Sequence, residues 1–111
     1  MNVEIVVGQR EESEQIPYQV ADGAPLLPGR SARSNRVVLT QKLWTQVREA
    51  VELPVIIGVK LLEEPQLQRI ADTAQQARQP KYEDIAHLLE WLQWWAIHSG
   101  SRAAIAVRDL L

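Results

Sequence analysis

The sequence predicts a small α+β domain, in which a mixed or antiparallel sheet of about four strands carries three helices packed mainly on one of its faces. Two patterns lead to this class. Apolar residues alternate with a period of two near the N-terminus, whereas later segments repeat them with the 3.6-residue period of an amphipathic helix. Proline and glycine separate the segments, so strands and helices follow one another as short elements.

The N-terminal part of the chain predicts strands and one long loop. Residues 1–7 alternate apolar and polar side chains, which is typical of a strand. Residues 15–21, QIPYQVA, continue the extended pattern, but Pro17 cannot donate to a ladder, so we expect this second strand at a sheet edge. Residues 22–35 are rich in Gly, Pro and Ser and predict a flexible loop, after which RVVL at 36–39 predicts a short strand.

The middle of the chain predicts a helix, a buried strand and a second helix. Thr40 is a suitable N-cap for a helix from residue 41 to about 52. The run VIIGVKLL at 55–62 is apolar almost throughout, which is typical of a central strand covered on both faces. Residues 63–79 carry a proline in the first turn and apolar residues along one stripe, and Pro80 ends this helix.

The C-terminal part predicts one long helix and an ambiguous tail. Residues 81–98 are expected to form a single helix, with acidic residues in its first turn and Gly100 at the C′ position. The tail, 101–111, fits either a helix with one apolar side or an alternating strand, and we favour the helix. We expect all of these elements to form one globular domain over residues 1–111.

Composition excludes several classes of protein. The 111 residues include 12 basic and 14 acidic side chains, and this balance gives no overall attraction to nucleic acid or to anionic lipid. The absence of cysteine excludes a disulfide framework and cysteine-based zinc sites. The N-terminus lacks the pattern of a secretory signal, and no apolar run approaches the ~20 residues of a membrane span, so we expect a cytoplasmic protein with no membrane partner.

Three of the four tryptophans lie in one segment, HLLEWLQWWAIHSG. On a helical wheel Trp91 and Trp95 fall within the apolar arc and are expected in the core. Trp94 lies outside that arc, as does Ile97, and shares its side of the helix with two histidines. Either a second packing layer, such as the C-terminal segment folding back, covers this side, or it is a surface for a partner. The candidate partner-binding residues are Trp94, Ile97, His98 and His87.

Catalytic and metal-binding motifs are weak. His87 and His98 would lie about 16 Å apart along one helix, too far to hold one ion, and a neighbouring acid would give His87 only a second ligand. The serines lack the glycine flanks of a nucleophile elbow, and the glycines are isolated instead of forming a phosphate-binding loop. We therefore expect no enzyme, no metal site and no cofactor.

The loop sequence GRSARSNR places Arg30, Arg33 and Arg36 at every third position, with Ser and Asn between them. Guanidinium groups and hydroxyls on a loop suit phosphate oxygens, so these arginines are candidate contacts for an anion or for nucleic acid. A solvated loop kept soluble by its charges explains the same pattern.

The segment NRVVLTQKLWTQVREAVEL, Asn35 to Leu53, resembles the strand, turn and helix of AbrB-type swapped-hairpin DNA-binding domains. It lacks the Gly-Asp turn expected after the helix and has Pro54 and an apolar strand there instead. The resemblance implies nucleic-acid contacts through Arg36, Lys42 and Arg48.

These observations favour a non-enzymatic protein-interaction module, such as a regulatory, assembly or inhibitor-like subunit. Its partner would be another protein or a second copy of the chain, bound at the Trp94 and Ile97 side of the long helix. The alternative is a nucleic-acid-associated regulator that uses the arginine-rich loop.

Overall fold

The computed structural model describes residues 1–110 and contains four strands and three α-helices. Single-turn 3-10 helices precede α3 and β4, at Pro80–Tyr82 and Gly100–Arg102. The elements are β1 (Asn2–Gln9), β2 (Arg36–Thr40), α1 (Gln41–Ala50), β3 (Gly58–Leu61), α2 (Glu64–Gln75), α3 (Ala86–His98) and β4 (Ala103–Leu110).

The four strands form one antiparallel sheet in the order β2-β1-β4-β3. β1 and β4 pair along their whole length, from Asn2 opposite Leu110 to Gln9 opposite Ala103. The helices lie on one face, where side chains from all three join one core cluster with Val3, Ile5 and Val7 of β1. The predicted fold class, a small α+β sheet with three helices mainly on one face, is confirmed.

Local signals start the first two helices as predicted. The Thr40 hydroxyl accepts a hydrogen bond from the Leu43 N–H at 3.1 Å and so caps α1. The Glu63 N–H donates to the Gln66 side chain at 2.9 Å, as in a capping box, and opens α2 with proline in its first turn.

The prediction of an edge strand over residues 15–21 is wrong. The segment makes one isolated bridge, Val20 with Ser34, and otherwise crosses the sheet face opposite the helices. The Asn35 side chain takes the place of a neighbouring strand. Its Nδ2 donates to the Pro17 carbonyl at 3.0 Å, and its Oδ1 accepts from the Gln19 N–H at 2.8 Å. Proline supplies no N–H for a ladder, so a buried side-chain amide is the better partner here.

The prediction of a central strand over residues 55–62 is also wrong. β3 spans only Gly58–Leu61 and lies at the sheet edge, paired with β4 alone. Gly58 has a φ of 79°, which interrupts the extended backbone, so the residues before it stay outside the ladder. The run is apolar on both sides, but only Ile56 and Leu62 reach the core.

The tail is a strand instead of the favoured helix. β4 lies in the interior of the sheet and is paired on both sides, because without it β3 has no partner and β1 is paired with β2 alone. Its first residues, Ala103, Ala104 and Ile105, are buried, and small side chains suit a strand covered on both faces. Leu111 lies outside the described residues.

The helix predicted over 81–98 is broken at its start. A 3-10 turn occupies Pro80–Tyr82, and α3 begins only at Ala86, with Ile85 as a buried N-cap residue whose φ is −125°. Hydrogen bonds of the i→i+3 type replace the α-helical pattern here, from the Glu83 N–H to the Pro80 carbonyl at 3.2 Å and from the Ile85 N–H to the Tyr82 carbonyl at 3.0 Å, and Ile85 packs in the core. Trp91 and Trp95 are buried, as expected for core residues.

Residues 22–35 contain no helix or strand, as predicted for a loop, but the loop is anchored to the body. Ala24, Leu27 and Asn35 are buried, and the Arg33 guanidinium donates to the Ala24 carbonyl at 2.7 Å. Among residues 1–110, no helix combines the length and apolar character needed to cross a bilayer.

Candidate functional site

The sheet has an open face, which we define as the face opposite the three helices. Residues paired across antiparallel strands point to the same side, so the register identifies the side chains on this face. Val6 is paired with Ala106, Ala106 with Val59, and Ala104 with Leu61. The segment 15–18 crosses part of this face, and the rest is left without a covering helix in the described chain.

A groove of about 790 Å³ runs over the open face. Its floor is formed by Val6 and Ala106, and its walls are the segment Gln15 to Tyr18 on one side and Ile57 to Val59 on the other. Gly8 lets the first wall approach the sheet, because a Cβ at this position would lie 2.8 Å from Ile16 Cγ2. We call this cavity the open-face groove.

One end of the open-face groove carries a charged cluster around Glu4. The Glu4 carboxylate, whose side chain is 6% exposed, accepts a hydrogen bond from Arg36 Nε at 2.5 Å, lies 3.4 Å from Arg108 Nη2, and accepts from the Tyr18 hydroxyl at 3.2 Å. Burial by itself raises the pKa of Glu4, but the hydrogen bonds and charges of Arg36, Arg108 and Tyr18 outweigh it and hold that pKa below its ordinary value.

The cluster has a surplus of positive charge, because two guanidinium groups share one carboxylate. The Arg108 side chain is 66% exposed and contacts Glu4 through Nη2 at 3.4 Å, so this acceptor engages only one nitrogen of the guanidinium group. A carboxylate on a bound molecule is the matching partner for such a group. Glu4 itself is ionised and engaged near neutral pH, which makes it a poor general acid or base.

The edge of the sheet beside the groove carries an apolar stripe. Val55, Ile57, Val59 and Leu61 are exposed by 72, 93, 39 and 42%, and alternate along the chain with residues that point inward or to the other face. We call these four side chains the β3 stripe. Large exposed apolar side chains that are contiguous are typical of contact surfaces.

All four partner-binding residues predicted from the sequence lie on α3, and two of them, Trp94 and His98, lie against each other. Trp94 is half-buried; its ring stacks on His98 with centroids 3.8 Å apart and meets Trp95 edge-on at 4.9 Å. A Cβ on Gly23 would lie 3.6 Å from the Trp94 ring, so the 22–35 loop lies against this tryptophan.

Of the other two predicted residues, Ile97 follows Trp94 by three positions on α3, and His87 lies in its first turn. Ile97 is 53% exposed. His87 is exposed and lines a different, smaller cavity of about 220 Å³ together with Asp84 and Arg30.

The three arginines predicted to contact an anion are bonded to different parts of the fold. Arg33 donates to the Ala24 carbonyl, Arg36 to Glu4, and Arg30 to the Val38 carbonyl at 3.4 Å. Arg48 likewise donates to the Leu53 carbonyl at 3.1 Å. These guanidinium groups are thus divided among several acceptors.

Within residues 1–110, no group of three or more His, Asp or Glu side chains is arranged to hold a metal ion. The open-face groove is lined mainly by aliphatic residues, with the Gln15 amide, the Arg108 guanidinium group, the paired carboxylate of Glu4 and the carboxylate of Asp109. This arrangement can bind an apolar and acidic segment, but it offers no activated nucleophile.

Sequence reasoning missed Glu4, Tyr18, Ile57 and Arg108 as site residues. One signal was available, since Glu4 is the only charge within the apolar strand NVEIVV and therefore needs a partner on its face. The partner residues are distant in sequence, and their convergence depends on the pairing of β1 with both β2 and β4.

Comparison of the chain with protein-family models, with curated proteins and with solved structures finds no match. The resemblance of residues 35–53 to AbrB-type domains thus has no support from a family match.

Proposed function

We propose that this protein is a non-enzymatic protein-interaction module that binds an extended segment of a partner protein in the open-face groove. The observation that carries the proposal is the uneven cover of the sheet, because all three helices pack on one face and leave an apolar groove on the other. Apolar surface left in water at a concave site is typical of a binding surface.

The lining of the groove specifies the chemistry of the segment. Val6 and Ala106 give a shallow apolar floor, and Ile57 opposite Ile16 gives apolar walls, so apolar side chains of the segment would be buried there. Arg108 at the end of the groove supports recognition of an acidic side chain or a terminal carboxylate. The expected ligand is therefore an extended peptide with apolar residues followed by a carboxylate.

This class of function is the one expected from the sequence, but the binding surface is the open-face groove instead of the Trp94 side of α3. Trp94 is half-buried against the protein's own core and is stacked on His98, so it offers less free area than the open-face groove. A nucleic-acid function through the arginine-rich loop receives less support, because Arg33 and Arg36 are occupied by close acceptors within the fold.

Selection from a display library of short random peptides tests the proposal, because it does not require the natural partner to be identified first. We expect the selected peptides to combine apolar residues with an acidic residue. Their affinity for the Ala106→Trp variant should fall by about tenfold or more, because the indole would fill the groove floor. Binding is measured by fluorescence anisotropy of a labelled selected peptide.

Two further variants distinguish the groove from other surfaces. Arg108→Glu should weaken acidic peptides and spare neutral ones, because only the former use the guanidinium group. Ile97→Lys, which changes an exposed apolar residue on α3, is the matched control and should leave binding unchanged. Selected peptides that bind the Ala106→Trp variant as tightly as the unmodified chain would disprove the groove as the site.

A further inference from the structure

We infer that the free edge of β3 pairs in antiparallel orientation with β3 of a second copy of this chain, so that two four-stranded sheets join into one continuous sheet. This goes beyond the proposed groove, because it names a different occupant for a different surface, the backbone edge. The two proposals share residues 57–59, which line the groove and also belong to the segment that pairs.

The backbone of β3 has hydrogen-bonding groups that point away from the sheet. The Leu62 N–H donates to the Ala103 carbonyl at 2.8 Å. The backbone N–H and C=O groups of the even-numbered residues of β3 therefore point toward β4. In an antiparallel ladder, alternate residues direct both N–H and C=O to the same side. Val59 and Leu61 therefore direct theirs to the free edge, where a further strand is the natural partner.

The side chains of β3 are compatible with pairing to their own copy. A two-fold axis perpendicular to the sheet at Val59 places Val59 opposite its counterpart, and Leu61 opposite residue 57 of the second copy, which lies just beyond the interruption of the extended backbone at Gly58. All of these are β3 stripe residues, so apolar side chains meet on the open face of the joined sheet. Lys60 lies opposite Gly58 of the second copy, so the two Lys60 side chains do not face each other.

The opposite edge of the sheet differs from β3. β2 has the 22–35 loop beside it, with Leu27, Pro28 and Arg30 sharing a cavity with its residues and Arg30 donating to the Val38 carbonyl at 3.4 Å. Lys60 is the only charge on β3, and its side chain points to the face opposite the β3 stripe. The net charge of −2 per chain also opposes association only weakly.

Sedimentation equilibrium over a range of concentrations tests the inference on the purified chain alone. We expect the average mass to rise toward twice the 12.6 kDa of one chain. Leu61→Lys should raise the dissociation constant by about tenfold or more, because a charge on the edge strand opposes pairing. Leu61→Pro should do the same, because it removes an outward N–H and leaves the bonds to β4 intact.

Hydrogen exchange of the unmodified chain gives a readout that does not depend on any variant. The amides of Val59 and Leu61 should become protected as concentration rises, whereas the Lys60 amide, which already faces β4, should change little. Ile97→Lys is the control for adding a lysine at an exposed apolar site, and its dissociation constant should equal that of the unmodified chain.

Several outcomes would overturn the inference. If the chain stays monomeric up to about 1 mM, its free energy of association is weaker than about 4 kcal/mol, and the inference is wrong. A dimer that survives both Leu61 variants, or that is lost with Ile97→Lys, uses another surface. The outcomes for the groove and for self-pairing are distinguishable. A monomer that still binds selected peptides disproves self-pairing and leaves the groove proposal standing. A dimer that binds no peptide disproves the groove proposal and leaves self-pairing standing.

Discussion

The two faces of the sheet carry similar side chains but have opposite surroundings. Val3, Ile5 and Val7 on the helix-covered face are fully buried, whereas Ile57 and Val59 on the open face are exposed by 93 and 39%. Aliphatic and β-branched residues thus stabilise the fold on one side, whereas on the other several of them stay exposed, where we propose a contact surface. The residue type does not decide between these roles, because the decision depends on which face the helices cover.

The largest expected effect comes from a truncation on the covered face. Ile5→Ala should lower the free energy of unfolding by about 2–5 kcal/mol, because it leaves a cavity in a site with no exposed surface. Ile57→Ala removes the same atoms from an exposed site and should change that free energy by less than about 0.5 kcal/mol. Urea denaturation of both variants measures the difference, and equal losses would contradict the division between the faces.

The second effect concerns the one buried charge of the open face. Glu4→Gln should lower the free energy of unfolding by about 1–3 kcal/mol, because Arg36 and Arg108 lose their shared carboxylate. Glu52→Gln is the matched control, since its pair with Arg69 at 3.0 Å is largely exposed and should contribute less than about 1 kcal/mol.

The Glu4 cluster also predicts how stability depends on pH. The pKa of Glu4 in the folded protein lies below its ordinary value of 4.5, so its stabilisation is fully present above about pH 4.5 and is lost as the pH falls through the lowered value. The difference in unfolding free energy between the unmodified chain and Glu4→Gln should therefore shrink between about pH 5 and about pH 2. A difference that stays constant over this range would show that the charge of Glu4 is not the cause.

The sequence predicts those parts of the fold that depend on neighbouring residues. β1, β2 and the starts of α1 and α2 follow from alternation, a threonine cap and a proline in the first turn. The sequence predicts a central strand where β3 is an edge strand and favours a helix where β4 is a strand, because both outcomes depend on pairing partners from distant parts of the chain. The same limit hid the site, since Glu4 meets Arg108 only through the pairing of the two ends of the chain.

The smallest expected effect compares a glycine that supports the open face with one that does not. Gly8→Ala would place its Cβ 2.8 Å from Ile16 Cγ2 and 3.1 Å from Asn35 Nδ2, so the segment 15–18 must shift outward, at a cost of about 1 kcal/mol. Gly23→Ala meets the Trp94 ring at an ordinary 3.6 Å and should change the free energy of unfolding by less than about 0.5 kcal/mol.

Because Ile16 and Tyr18 form one wall of the open-face groove, Gly8→Ala should also weaken the binding of selected peptides, whereas Gly23→Ala should not. Thermal unfolding and peptide anisotropy on the same two variants measure both effects. Unchanged peptide affinity in a destabilised Gly8→Ala protein would mean that the wall formed by residues 15–18 contributes to folding but not to recognition.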